Sequence, residues 1–542
     1  MTDRIASLSD YQKVRASFRW PHPRDFHFGR DVVDDWANRA GERTAIHWVS
    51  QGAERTVTFS EISQRSDRLA RALGELGLKK GDKLLVVLPR VVEWWEAMVG
   101  IMKAGLIAIP GTPLLTAGDI AYRARTAEAV GIITDLDVAE KLDAHEEQVP
   151  ELARRILVGN SDREDWTAYE ELIAGAGDTP PQIATAVDDP ALLYFTSGTT
   201  GMPKMVLHTQ ASYGIGHQTT GRYWLDLRED DLHWNISDTG WAKAAWSSLF
   251  GPWNCGSGLF VHHAPGKFNP RSVITNLEKY PITTMCGAPT IYRVLVQTDL
   301  SNFRPAALRH CVAAGEPLNP EVIKKWQAAT GLTIRDGYGQ TETVLLCANF
   351  PGVPVKPGSM GLPAPGIDLA IVDDDGRELS PGQEGNIAVR LEPQRPVGLF
   401  HEYWHNPAAT DESFRGPWYF TGDRASTDEE GYFWFVGRAD DVITSSAYRI
   451  GPFEVESALI EHPAVMEAAV VGIPDERRGQ IVKAFVVLVD GFAASTALKG
   501  ELQEHVKQTT APYKYPREIE FVASLPKTVS GKTRRVELRQ IE

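Results

Sequence analysis

Between Leu84 and Thr134 three apolar runs alternate with two helical patterns, and this alternation most constrains the fold. Leu84 to Leu88 is continuously apolar and closed by Pro89, as suits a buried strand. Val91 to Lys103 has helical spacing, and Leu106 to Ile109 reads as a second strand. Ile120 to Val130 reads as a second helix, and Gly131 leads into a third strand, Ile132 to Thr134. Strand and helix alternating at this spacing predict a parallel α/β sheet. A further helix is expected from Ser60, with Ile62, Leu69, Leu73 and Leu76 on one face and Gly77 as its stop.

The rest of the chain is less regular. The segment up to about Phe28 is polar and aromatic and carries no clear pattern, and Ser161 to Thr185, with Pro180-Pro181, reads as a surface excursion. Thr283 to Cys286 and His310 to Ala313 are short strands, each ending at a glycine-containing turn: Gly287-Ala288-Pro289 and Gly315-Glu316-Pro317. A helix near Thr290 to Gln297 lies between them, and Asp336 to Glu342 reads as a third such turn. From Gly358 short strands alternate with turns at Asp374-Asp375-Gly376 and Pro381-Gly382, which predicts a β-rich subdomain. After Gly437-Arg438 a small α/β unit begins: helices at Pro452 to Glu461 and Leu498 to Lys507, strands at Ala468 to Val471, Lys483 to Val489 and Glu518 to Val522. The expected division is residues 1–439 and 440–542, with the boundary at Ala439-Asp440.

The most chemically suggestive stretch follows an apolar strand, Ala191 to Phe195. It is Thr196-Ser197-Gly198-Thr199-Thr200-Gly201-Met202-Pro203-Lys204. Glycines let backbone N–H groups approach a polyanion, hydroxyls add donors, and lysine adds charge. The spacing is not that of a Walker A loop. A plain polar surface loop is the competing reading. The net charge of −15 argues against a general nucleic-acid binder without excluding a local anion site. Four dispersed cysteines, with no C-x-x-C, argue against a disulfide framework or a structural zinc site. The first residues lack the apolar core of a signal peptide, and no stretch approaches ~18 apolar residues. The resulting expectation is a cytoplasmic monomer or homodimer with no membrane partner.

Taken together, the turns resemble the adenylate-forming superfamily of acyl-CoA synthetases, adenylation domains and luciferases, and most closely the medium-chain acyl-CoA synthetases. The resemblance covers nearly the whole chain. It rests on eight motifs in order: Thr196–Lys204, Asp238-Thr239-Gly240-Trp241, Gly315-Glu316-Pro317, Tyr338-Gly339-Gln340-Thr341-Glu342, Tyr419-Phe420-Thr421-Gly422-Asp423, Gly437-Arg438-Ala439-Asp440-Asp441, Tyr448-Arg449-Ile450-Gly451-Pro452 and Pro526–Lys532. It implies a large N-terminal domain of α/β subdomains plus a β-rich subdomain, and a small mobile α+β C-terminal domain. It also implies a two-step reaction: a carboxylate attacks the α-phosphate of ATP to give acyl-AMP and pyrophosphate, and coenzyme A then displaces AMP.

The resemblance assigns roles residue by residue. The Thr196–Lys204 loop is similar to the β,γ-phosphate cradle, Thr341 to a contact of α-phosphate and substrate carboxylate, and Glu342 to a Mg²⁺ ligand. Gly315, Glu316, Pro317, Asp336, Gly337, Tyr338, Gly339 and Gln340 resemble the nucleotide walls, and Asp423 the carboxylate that holds both ribose hydroxyls. Arg438 is similar to a nucleotide contact near the hinge, which is Asp440, and Lys532 to the adenylation lysine. Ser446, Ala447, Tyr448, Arg449, Arg478 and Lys507 resemble coenzyme A contacts. Trp241, Trp246, Gly287, Ala288, Pro289 and Gly339 would line an acyl pocket suited to an uncharged aliphatic or aromatic acid. One position departs: relatives have Ser-Ser-Gly where this chain has Ser445-Ser446-Ala447. Ala447 then either narrows the pantetheine tunnel and slows the second half-reaction, or is tolerated. Three readings stay open at this stage: an acid–CoA ligase, an adenylating enzyme that forms no thioester, and a non-catalytic acyl or nucleotide binder on the same fold.

Overall fold

The computed structural model describes residues 4–145, 149, 151–159, 163–177, 179, 183–196, 203–446, 448–527 and 532–540. Among them the strands form four sheets. The first runs Glu402–Tyr403, Lys204–Thr209, Pro190–Thr196, Ile107–Pro110, Lys83–Val87, Ala129–Thr134, Arg154–Leu157, Thr167–Ala168. It is parallel from Pro190–Thr196 onward and antiparallel at the Lys204 end. The second runs Leu362–Pro363, Leu345–Ala348, Ile334–Gly339, His310–Ala314, Thr284–Gly287, Leu232–Ile236, Gly258–His262, Thr44–Ser50, Ala53–Thr58.

The continuous apolar runs are explained by burial on both faces. Leu84 and Val86 point into a cluster shared with the second sheet, whereas Leu85 and Val87 point into a cluster beneath helices Ala117–Ala127 and Leu136–Asp143. Helices Phe59–Glu75 and Val92–Lys103 lie in the inner layer. The first is started by a capping box between Thr58 and Glu61, and Ile62, Leu69 and Leu73 are fully buried, each contributing about 1.5–3 kcal/mol. A Cβ on Gly100 would meet Leu69 Cδ2 at 2.8 Å, so glycine there allows the close approach of the two helices.

The α/β expectation holds, with local corrections. The helix expected over Ile120 to Val130 spans Ala117–Ala127. Thr116 and Asp119 cap it early, and Glu128, in the left-handed region at φ 56°, ends it so that the strand begins at Ala129. The polar excursion over Ser161 to Thr185 holds real structure: Trp166 and Tyr169 are buried, and Tyr169 starts helix Tyr169–Gly175. The Tyr169 hydroxyl donates to Glu96 Oε2 at 3.0 Å, and Arg65 Nε pairs with Glu96 Oε1 at 2.6 Å. Two anchoring aromatics in a polar context leave no periodicity to detect. The N-terminal segment contributes helix Leu8–Ser17, whose Tyr11 hydroxyl donates to the Pro363 carbonyl.

The β-rich third sheet runs Leu369–Val372, Gly385–Arg390, Trp418–Thr427, Phe414–Arg415, with Phe433–Arg438 paired to Trp418–Thr427. The fourth runs Tyr448–Ile450, Ile443–Ser445, Gly479–Leu488, Val465–Asp475, with Glu518–Phe521 beside Gly479–Leu488. It is packed on both faces, by Val470, Ala484 and Val486 against the helices Pro452–Glu461 and Thr496–Thr509, and by Val471, Phe485 and Val487 against Leu525 and Leu538.

Four of the buried histidines give the fold a marked pH dependence. Burial depresses His208 and His233 to about 3 and His310 to about 4, and holds His217 well below its ordinary value of 6.5. Between 6.5 and those values the unfolded chain binds more protons, so stability falls as pH falls, by up to about 1.4 kcal/mol per pH unit for each histidine. Raised carboxylates at Asp336, Glu342 and Asp423 act in the opposite direction, binding protons better when folded. His233 Nδ1 and Nε2 meet Thr284 Oγ1 at 2.6 Å and Ser247 Oγ at 3.1 Å. His233→Gln is expected to flatten the fall in urea midpoint between pH 6.5 and 4.5, and an unchanged pH profile would count against this account.

Candidate active site

Four parallel strands of the second sheet end side by side. Ile236 lies opposite Gly287, Gly287 opposite Ala313, and Ala314 opposite Gly337. Carboxyl ends of parallel strands form ligand crevices, because the following loops open there. This register brings Asp238–Trp241, Gly287-Ala288-Pro289, Gly315-Glu316-Pro317 and Asp336–Gln340 to one rim. Asp336 to Gly339, expected as a turn, belong to strand Ile334–Gly339, and the turn starts at Gln340. The glycines that suggested a turn serve close approaches instead: a Cβ on Gly337 would meet the Trp224 ring at 2.4 Å, and one on Gly339 the Val344 carbonyl at 2.6 Å. Gly315 is in a true turn at φ +103°, conformational space that side chains avoid.

On this rim Asp336 is buried, which pushes its carboxyl up to about 8 against the N–H donated by Gly337 at 3.0 Å. Lys243 stands beside it with no motif to announce it, only a lysine amid small and aromatic residues. Its Nζ donates to the Ala314 carbonyl and lies 3.2 Å from where a Gly315 Cβ would be. Burial pushes its ammonium down, opposed by the nearby charges of Cys286, Glu316 and Asp336 and reinforced by Lys532. Trp246 is sandwiched between His217 and Trp224, at 6.3 and 5.8 Å between ring centroids. Trp241 precedes helix Ala242–Ala245, and Pro289 opens helix Pro289–Leu295 directly after Ala288.

Across the rim, Asp423 is the centre of a polar network. Its Oδ2 accepts from the Tyr338 hydroxyl at 2.6 Å and from Gln340 Nε2 at 2.7 Å, and Arg438 Nη1 stands 3.4 Å from Oδ1. Burial raises its pKa; Arg438, Tyr338, Gln340 and Lys532 pull the other way. The Tyr419 hydroxyl fixes Gln340 through Oε1 at 3.0 Å. Glu342 is raised by burial too, and accepts from the Tyr403 hydroxyl at 2.8 Å. Lys204 Nζ sits 4.6 Å from the Tyr403 ring, so a cation–aromatic–carboxylate chain joins the end of the candidate loop to Glu342.

The loop bridges a β-hairpin, since Thr196 pairs with Lys204 in antiparallel register and Thr196 Oγ1 donates to the Lys204 carbonyl. Ser197, Gly198, Thr199, Thr200, Gly201 and Met202 lie outside the described residues, as does Ala447; Pro203 is described next to Lys204. The hairpin also supplies His208. A carbonyl can only accept, so His208 Nε2–H donates to the Thr341 carbonyl at 2.7 Å, and Nδ1 accepts from Ser212 at 2.9 Å. A neutral imidazole thus steadies the Thr341-Glu342 turn.

The remaining expected residues lie toward the far end of the chain. Lys532 is exposed and close enough to Asp423 and Lys243 for its charge to be felt by both. Asp440 Oδ1 stands 3.8 Å from Arg438 Nε as an ion pair, and the Asp440 carbonyl accepts from Arg539 at 3.3 Å. Tyr448, half exposed, stacks on Tyr513 at 4.1 Å and 16°, a partner no motif marks. Arg449 is exposed. Ser446, left-handed at φ 57°, donates its N–H to the Arg478 carbonyl at 2.8 Å. Lys507 pairs with Glu504 at 3.2 Å and lies over the Tyr515 ring.

Two α/β sheets and a strand-end crevice holding this carboxylate network are the arrangement of an adenylate-forming enzyme. Comparisons with known proteins agree. The AMP-binding enzyme family matches residues 33–404, and its C-terminal domain matches residues 454–532. The mitochondrial acyl-coenzyme A synthetase ACSM3 of Mus musculus is 49% identical over 99% of this chain and 94% of its own length. That of Homo sapiens is 49% identical over 99% and 93%. Among solved structures, the anthranilate CoA ligase AuaEII in complex with anthranoyl-AMP is 31% identical with a TM-score of 0.88, covering 96% of this chain and 97% of that one. A benzoate CoA ligase from Burkholderia xenovorans LB400 gives 29% and 0.84, covering 95% and 100%. The chain belongs to the AMP-binding enzyme family. It is an acyl-CoA synthetase that joins a carboxylic acid to coenzyme A at the expense of ATP, through an acyl-AMP. The cytoplasmic expectation is overturned: these curated relatives are mitochondrial proteins. Absence of a signal-peptide pattern had left that compartment unconsidered.

Proposed function

We propose that the two half-reactions are divided between two faces of a C-terminal domain, residues 440–542, that turns about Asp440 against residues 1–439. The observation that carries this is the position of Lys532, whose charge reaches Asp423 and the Lys243 rim from the far end of the sequence. In the first step, the acid's carboxylate oxygen attacks the α-phosphorus and pyrophosphate leaves. Asp423 accepts from the ribose diol, the Gly315–Pro317 and Asp336–Gln340 segments frame the base, and Thr341 meets the α-phosphate. Thr196 to Lys204 hold the departing pyrophosphate. Lys532 stabilises the charge that builds at the reacting oxygens.

Glu342 suits a magnesium ion. Tyr403 occupies one carboxylate oxygen, and among the described residues no group of three or more ligand side chains forms a cage, as fits a cation held mainly by phosphates. When bound, the ion would neutralise phosphate charge. In the second step Ser446, Ala447, Tyr448, Arg449, Arg478 and Lys507 receive coenzyme A. The acid is a short- or medium-chain, branched or aromatic one, admitted by Trp241, Trp246, Gly287, Ala288, Pro289 and Gly339.

The test pairs ATP–pyrophosphate exchange with thioester formation over short, branched, medium-chain and aromatic acids. Activity confined to strongly polar or dicarboxylic acids would overturn the pocket assignment. At Ala447 the expected outcome is that Ala447→Gly speeds thioester formation and leaves exchange unaltered. A Cβ in a narrow channel costs about 1–3 kcal/mol, so the gain is at least several-fold. Equal thioester rates in both proteins would show that alanine is tolerated.

A further inference from the structure

The tail that carries Lys532 is tied down three residues later. Arg535 Nη2 donates to Glu456 Oε1 at 2.6 Å, Arg535 Nε donates to the Val470 carbonyl at 3.2 Å, and Nη1 lies 3.7 Å from Asp441 Oδ2. Glu456 Oε1 also accepts the Val470 N–H at 2.8 Å, so the carboxylate cannot swing away without losing two bonds. Both acids are buried. The negative charge of Glu316, on the rim of the active site, reaches the same guanidinium. Arg539 adds a second ion pair to Asp441 and a hydrogen bond to the carbonyl of Asp440. Pro526 and Arg534 close the base of the lysine loop through an N–H···O bond of 2.9 Å, and Leu538 seats the tail in the core beside Leu525 and Phe485.

One guanidinium, carried on the lysine's own segment, therefore bonds Glu456 and the Val470 carbonyl, stands beside the residue after the proposed hinge, and feels the charge of the nucleotide rim. A single point charge on a flexible stem could not fix all three directions, whereas a planar fork can. We infer that Arg535 is a positioning residue for the first half-reaction: it sets the reach of Lys532 and couples it to the hinge through Asp441. This rests on the reading that Lys532 serves acyl-AMP formation.

The geometry makes the effect one-sided. Acyl-AMP formation needs Lys532 placed to within a fraction of an ångström, and a misplacement of about 1 Å costs on the order of 10²-fold. Thioester formation from supplied acyl-AMP does not need that lysine. The experiment measures both half-reactions separately, in the full-length enzyme, for Arg535→Gln, Arg535→Lys, Asp441→Asn and Lys532→Ala. Arg535→Gln is expected to lower the kcat of ATP–pyrophosphate exchange by about tenfold or more, with KM for ATP little changed and coenzyme A-dependent consumption of acyl-AMP preserved. Asp441→Asn, which keeps the Arg535–Glu456 pair, should show the same direction with a smaller loss, and it decides the matter if Arg535→Gln does not fold. Arg535→Lys should restore less than half of the loss. Parallel losses in both half-reactions, or full rescue by lysine, would reduce Arg535 to a structural ion pair and overturn the inference. If Lys532→Ala leaves exchange intact, the underlying assignment fails instead, so the two failures are distinguishable.

Discussion

Lys532→Ala is expected to lower ATP–pyrophosphate exchange by about 10²–10³-fold, the usual loss on removing one preorganised charge-stabilising donor. Conversion of supplied acyl-AMP to thioester should be nearly unchanged. The lysine side chain is exposed, so removing it opens no cavity in the core. Thermal stability should hold, which separates a catalytic loss from an unfolded tail. Equal slowing of both half-reactions would refute the division of labour. Lys204 makes the useful contrast. It sits over Tyr403 at the end of the hairpin, and its replacement by alanine should raise KM for ATP more than it lowers kcat, because it holds the leaving group's end.

Asp423→Asn carries the second large effect. Two donors, the Tyr338 hydroxyl and Gln340 Nε2, converge on one carboxylate oxygen and leave the other toward Arg438 and the crevice. A hydrogen bond to a charged group is worth about 1.5–3 kcal/mol, so loss of the charge should weaken nucleotide binding roughly 10- to 150-fold. Stability should move the other way or not at all. Burial already raises the pKa of this acid, which means that the fold disfavours its charge and that a neutral amide relieves the cost. Isothermal titration with AMP and a melting curve read the two effects independently. Tighter AMP binding by the amide would rule out a ribose-accepting role.

The fold was legible in the sequence wherever burial on both faces produced unbroken apolar runs. The runs Leu84 to Leu88 and Ala191 to Phe195 mark the strands Lys83–Val87 and Pro190–Thr196 for that reason. It was illegible where a single residue made the decision: Glu128 ends a helix by adopting a left-handed backbone, and Tyr169 anchors a polar segment through one hydroxyl. The candidate site divides similarly. Asp423, Tyr338 and Gln340 lie in recognisable motifs and share one hydrogen-bond network. Lys243, His208, Tyr403 and Tyr513 carry no such signal, because each acts across the sheet on a residue remote in the chain. Glycines misled at Asp336 to Gly339, where they make room for Trp224 and the Val344 carbonyl and not for a bend.

The edge strand Glu402–Tyr403 lies against Lys204–Thr209, and Leu8–Ser17 reaches forward to Pro363. Sequence order and spatial order therefore part company across the large unit. Cutting the gene near residue 357 would uncover the hairpin's outer backbone groups, with an aggregating fragment as the expected product. A two-piece enzyme reassembled from separately expressed halves would need its break after residue 438, where no strand of the first three sheets is severed.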